Sequence, residues 1–157
     1  MIKAMKIDPR DLAVGDLAVD ESDSLVKVQS INGEKIIFRN EKGECIVYPD
    51  NISDVYSIAV RPEIVYQLGF SPFNNDIVPK HRLRLANEDI VELSWISFPF
   101  SEPYCAAHIY SKYYTVADAQ ITSINQIQAL MRIAGLYDEA AAFWIQDVRK
   151  VYENNEE

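Results

Sequence analysis

Two turn signals set between extended runs constrain this chain more than anything else in it. In "VKVQSINGEKIIFRNEKGECIVYP" (residues 26–49), Asn32-Gly33 is the strongest short-range hairpin signal. "NEKG" (40–43) fits a type I turn from Asn40 with a left-handed residue at Gly43. A two-residue loop at the first turn pairs Val28 with Ile37 and Lys27 with Phe38. The second turn pairs Ile37 with Val47 and Phe38 with Ile46. Further extended runs lie at 16–19, 45–49 and 55–60. Short strands joined by tight turns predict a small SH3-like β-barrel, with a five-strand meander as the alternative.

Residues 61–70 read as a helix, with Pro62 at the first position, Glu63 in the first turn and Gly69 at the stop. "SPFNNDIVP" (71–79) reads as a loop and as the lobe boundary. A second β region follows at 81–85, 90–98 and 106–116, interrupted by the proline-broken loop 98–104. Side chains alternate along strands, so Leu83 and Leu85 must share a face with Val91 and Leu93. Only an even pairing sum achieves this. A sum of 176 sets Arg84 opposite Glu92 and Arg82 opposite Ser94, with an odd loop around Asn87-Glu88-Asp89.

"ITSINQIQALMRIAG" (121–135) carries a helix over 124–134. Ser123 and Gln126 form a capping box, and Ile124, Ile127, Leu130, Met131 and Ala134 make one stripe. That stripe is expected to seat on the 82–116 sheet, with Gln126 and Gln128 as ordinary helix residues. A second helix is expected over 136–152, with Ala141, Trp144, Ile145, Val148 and Val151 on one side. The predicted fold is therefore α+β. An SH3-like β lobe (1–70) precedes a small antiparallel sheet covered by C-terminal helices (71–157).

Three stretches in this order, "AVGDLAV" (13–19), "RPEIVYQLGF" (61–70) and "ITSINQIQALMRIAG" (121–135), resemble a family of small proteins of unassigned activity. That family is common in gut-bacterial genomes, phages and mobile elements. It enters its first strand with an "R-I-G-N"-like motif, has a central helix ending in "L-G-F", and closes with an "H-Q-L-Q-N-L-Y-F-A-L-T-G"-like helix. Here "AVGDLAV" lacks the arginine, and Asn125-Gln126-Ile127-Gln128 stands where the family has His-Gln-Leu-Gln. The resemblance implies an architecture and a mobile-element setting, and it carries over no site residue.

Composition narrows the function. The chain has 157 residues, 48% of them apolar, enough for a packed core. A formal net charge of −9 opposes the general phosphate attraction on which nucleic-acid binders depend. No run is long and apolar enough for a membrane span, and no signal peptide is evident, so the cytoplasm is the expected compartment. Cys45 and Cys105 are expected as reduced, buried thiols. Cys105-x-x-His108 matches a metal spacing, but no second pair exists, and on a strand the two point to opposite faces. "DESD" (20–23) lacks the order of a calcium loop, and no glycine spacing fits a phosphate loop. No catalytic residue, metal ligand or cofactor is assigned.

Two surfaces remain. "PKHRLRL" (79–85) gathers Lys80, Arg82 and Arg84, a candidate nucleic-acid contact. "FPFSEPY" (98–104) and "IYSKYY" (109–114) gather Phe98, Phe100, Tyr104, Tyr110 and Tyr114, a candidate protein interface. A non-enzymatic interaction or accessory protein is the leading expectation. A nucleic-acid-associated module using strand 80–84 is the alternative.

Overall fold

Turn chemistry shapes the first sheet. The computed structural model describes residues 2–73, 77–111 and 115–146. Its first six strands are β1 (Lys3–Ile7), β2 (Leu17–Val19), β3 (Leu25–Asn32), β4 (Lys35–Asn40), β5 (Cys45–Tyr48) and β6 (Val55–Ile58). They form one antiparallel sheet in the order β1-β6-β2-β3-β4-β5. The β4–β5 register is the expected one, with Ile37 opposite Val47 and Phe38 opposite Ile46. Gly43 takes φ +78°, and the Asn40 side chain accepts from the Lys42 and Glu44 amides.

The β3–β4 hairpin differs from expectation. Its loop is Gly33-Glu34, and Asn32 pairs with Lys35. A type I′ turn needs positive φ at both central residues, whereas a II′ turn needs it only at the first. Gly33, at φ +63°, fills that first position. A bulge then shifts the register between Val28 and Ser30, setting buried Val28 opposite buried Phe38. β1 was not expected. No pairing joins β5 to β1 among the described residues, so the sheet is not shown as a closed barrel.

The middle of this sheet, β2, β6 and the start of β3, is buried on both faces. Ala18, Val26, Val28, Ile36, Phe38 and Val55 form one core with Leu12 and Ile52. The alternate residues Leu17, Val19, Leu25 and Ile58 enter a second, larger core.

α1 (Pro62–Gln67) begins on Pro62 as expected and buries Ile64 and Val65. The segment expected as a loop is in part a short strand, β7 (Ser71–Phe73), paired with β8 (Lys80–Arg84). β9 (Ile90–Ile96) follows. The stretch expected as one strand over 106–116 is two, β10 (Tyr104–Tyr110) and β11 (Thr115–Ile121). "YSKYY" holds no glycine or proline, so nothing local marked the reversal. The second sheet runs β11-β10-β9-β8-β7.

The 81–98 hairpin keeps the required even sum but is displaced by two residues. Leu83 faces Val91, and Arg82, not Arg84, faces Glu92. The loop is centred one residue earlier than expected, at 86–88. Leu85 and Glu88 hydrogen-bond across a three-residue turn, and Glu88 takes the left-handed position at φ +72°.

α2 (Ile124–Ile133) has the expected capping box and buries Ile124, Ile127, Leu130 and Met131. It seats on more than the second sheet, packing against β11, β6, β2 and α3 (Tyr137–Ala141). The larger core therefore joins Leu17 and Ile58 of the first sheet to Val91, Leu93 and Ile109 of the second.

The last expected helix is short and ends at Ala141. Phe143 and Ile145 are buried two residues apart, an extended rather than helical period. Phe143 meets Phe70 edge-on at 6.2 Å. The expected Val148 and Val151 contacts lie outside the described residues.

Gln128 is no ordinary helix residue. It is fully buried, its Nε2 donates to the Gly15 and Ala140 carbonyls at 2.9 and 2.8 Å, and its Oε1 accepts the Leu17 amide at 2.9 Å. Beside it, Arg132 Nη1 meets buried Asp16 at 2.5 Å. A Cβ on Gly15 would lie 2.8 Å from the Ala141 Cβ, so only glycine fits that approach. Two of the three stretches behind the family resemblance thus meet in space through these contacts.

Candidate functional site

The outer face of the second sheet is built by alternation. Val91, Leu93, Cys105, Ala107 and Ile109 point into the core, so Glu92, Ser94, His108 and Tyr110 point away from it. Glu92 is nonetheless only 1% exposed, because its neighbours close over it. Arg82 Nε donates to it at 2.5 Å, Lys80 Nζ lies at 3.3 Å and the Tyr110 hydroxyl donates at 3.2 Å. Burial alone would raise the Glu92 carboxyl. The Arg82 guanidinium and Lys80 ammonium outweigh it and hold the group below the usual carboxylate range. Tyr110 is pushed up by burial and by the Glu92 charge. The Arg82 guanidinium also stacks on Phe73, 3.7 Å from the ring centre.

Of the basic cluster, Lys80 and Arg82 are therefore turned onto one carboxylate, while Arg84 sits opposite Ile90. His108 stacks on Tyr110 and stands 4.0 Å from Asp118 of β11. A carboxylate held ionised is a weak base, and a phenol pushed up is a weak nucleophile.

At the end of this sheet lies a cleft of about 800 Å³. Trp95, Phe98, Tyr104, Ile77 and Ile121 supply its apolar wall, and Gln120, Glu102 and Thr122 its polar groups. Trp95 is fixed from behind, its Nε1 donating to His81 Nδ1 at 2.8 Å. That bond needs a bare Nδ1, and burial pushes His81 below its ordinary value, which keeps it neutral.

The cleft is rimmed by an unusual turn. Ser101 N hydrogen-bonds to the Phe98 carbonyl, and Pro99 and Phe100 are the central residues. Proline then positive φ is the pattern of a type II turn, whose third residue is ordinarily glycine. Here that residue is Phe100, at φ +69° and fully exposed. The turn thus holds an aromatic ring in water at a backbone cost. Phe98 is also exposed. Of the candidate interface residues, Phe98, Phe100 and Tyr104 gather here, Tyr110 belongs to the Glu92 cluster, and Tyr114 lies outside the described residues. Sequence reading paired Glu92 with Arg84 and missed its contacts with Lys80, Arg82 and Tyr110; it also missed the His81–Trp95 pair on the opposite face, because strand register decides both.

The cysteines split. Cys105 is buried, and burial pushes its thiol to about 12, well away from thiolate chemistry at neutral pH. Cys45 is exposed, contrary to expectation, because it opens β5 opposite Arg39 at the sheet edge. Cys105 and His108 point to opposite faces as expected. Among the described residues no group of three or more His, Cys, Asp or Glu converges on a metal position. Among the same residues no helix is long and apolar enough to cross a membrane. The chain matches no protein-family model, no curated protein and no solved structure.

Proposed function

We propose that this chain is a non-enzymatic protein-interaction protein, an accessory factor of phage or mobile-element setting that works in the cytoplasm. It engages its partner through the 98–101 turn and the adjoining cleft. The observation that carries this reading is Phe100, fully exposed in a left-handed position that glycine would fill at no cost. An aromatic held out beside an apolar cleft is what a binding anchor requires. The N-terminal lobe is read as SH3-like, which the return of β6 to β2 after a four-strand meander supports. The nucleic-acid alternative ranks second, because Lys80 and Arg82 both engage Glu92.

A photo-crosslinking aromatic amino acid at position 100, with one at Glu41 as control, tests the reading in the host cell. A discrete protein adduct from position 100 alone supports it. An adduct that nuclease removes would put the nucleic-acid module first.

A further inference from the structure

Resting on that interaction reading, we propose that β11 is an open docking edge that takes an extended, lysine- or arginine-bearing segment of a partner protein as a sixth strand of the second sheet. The two sheets have four terminal strands: β1, β5, β7 and β11. An edge strand presents unpaired amides and carbonyls, and stable proteins blunt it with lysine, proline, irregular register or shortness. β1 carries Lys3 and Lys6 and a register shift between them. β5 has four residues and runs into Pro49. β7 has three residues, one of them Pro72. Of these devices β11 has one, a register shift against β10 between Ile109 and Tyr110 at its first residues; it lacks the others, and from Ala117 to Ile121 it pairs regularly. It runs seven residues, "TVADAQI", with no lysine, arginine or proline. Thr115, Val116, Asp118, Ala119 and Gln120 are exposed, and no strand pairs its outer side among the described residues. Just beyond it, Ser123 bridges to Ala59, so coverage resumes where β11 stops.

Charge chooses the occupant. The middle of this edge is Asp118, its side chain 69% exposed. The chain as a whole carries −9. A second copy pairing centrally would set Asp118 against Asp118 and bring two acidic chains together, whereas a lysine or arginine on a foreign strand would meet it favourably. Gln120, Ile121 and Thr122 belong both to this end of the chain path and to the cleft wall. An added strand thus delivers an apolar side chain at its end to Phe98 and Tyr104. Backbone bonding gives the affinity and the cleft the selectivity, as in other strand-addition complexes.

The test uses the full chain, followed by backbone amide NMR. The probe is a short synthetic peptide alternating lysine with threonine and ending in phenylalanine. Slowed exchange at alternate amides of 115–121, with shifts at Trp95 and Tyr104, is the expected result. A copy N-methylated at every second residue should fail, and Asp118→Lys should weaken binding about five-fold. Shifts confined to the cleft, equal for the N-methylated peptide, would overturn strand addition while leaving the interaction reading standing. No response at either place counts against both. Equal binding of a glutamate-for-lysine peptide, or a dimer forming through β11 without peptide, would also overturn the proposal.

Discussion

Gln128 shows how one side chain can decide a tertiary contact. Its amide closes three backbone groups in a site that water does not reach. Gln128→Ala leaves the Leu17 amide and the Gly15 carbonyl without these partners, and a loss of roughly 2–4 kcal/mol is expected in urea melts. A loss under about 0.5 kcal/mol would mean that the contact carries no weight. Glu92 makes a pH-dependent contribution. Its folded value lies below the ordinary glutamate value. The native state therefore gains stability above the ordinary value and loses it as pH falls through the folded one. Glu92→Gln should cost roughly 1.5–3 kcal/mol at neutral pH and flatten the acid limb of the stability profile. An unchanged acid limb would place the titration elsewhere. Gln128 did not announce itself in the sequence, and Glu92 was legible only as a cross-strand partner of Arg84. Glutamine at a helix surface position and glutamate in an alternating strand are both common, and only a second element makes them buried.

At the scale of elements, local chemistry was the better guide. The capping box of α2, the proline start of α1 and the Gly43 turn all formed as their residues dictate, because each is satisfied by atoms a few residues away. The displaced hairpins obey the same chemistry with a different turn. At the 86–88 loop, the compact three-residue turn forms although it forces Glu88 to φ +72°. Glu88→Gly should therefore raise stability by about 1 kcal/mol. Phe100→Gly should do the same while abolishing the crosslink expected of position 100. A destabilised Phe100→Gly variant would show that the ring packs for stability and not for a partner. The reversal between β10 and β11 was illegible, since neither glycine nor proline marks it.

For the whole molecule, the decisive feature is the larger core, which α2 fills from between the two sheets. Leu130→Ala should cost about 2–4 kcal/mol. Because both sheets contribute to that core, the loss should appear as one cooperative transition, coincident by tryptophan fluorescence and far-UV circular dichroism. Two separated transitions would mean that the sheets unfold independently. The sequence by itself determined the predominance of antiparallel strands with few helices, most strand and helix positions, the even parity of the 81–98 hairpin and the apolar stripe of α2. These rest on periodicity and on turn residues, which act over a few positions. Tertiary structure alone decided that the middle of the first sheet is buried on both faces, that Gln128 and the Asp16–Arg132 pair lock α2 to the Gly15 turn, and that Lys80 and Arg82 serve Glu92. It alone also left β11 as a terminal strand of the second sheet among the described residues. Each of these depends on atoms brought together from distant positions, and no spacing within one segment encodes which distant partner arrives.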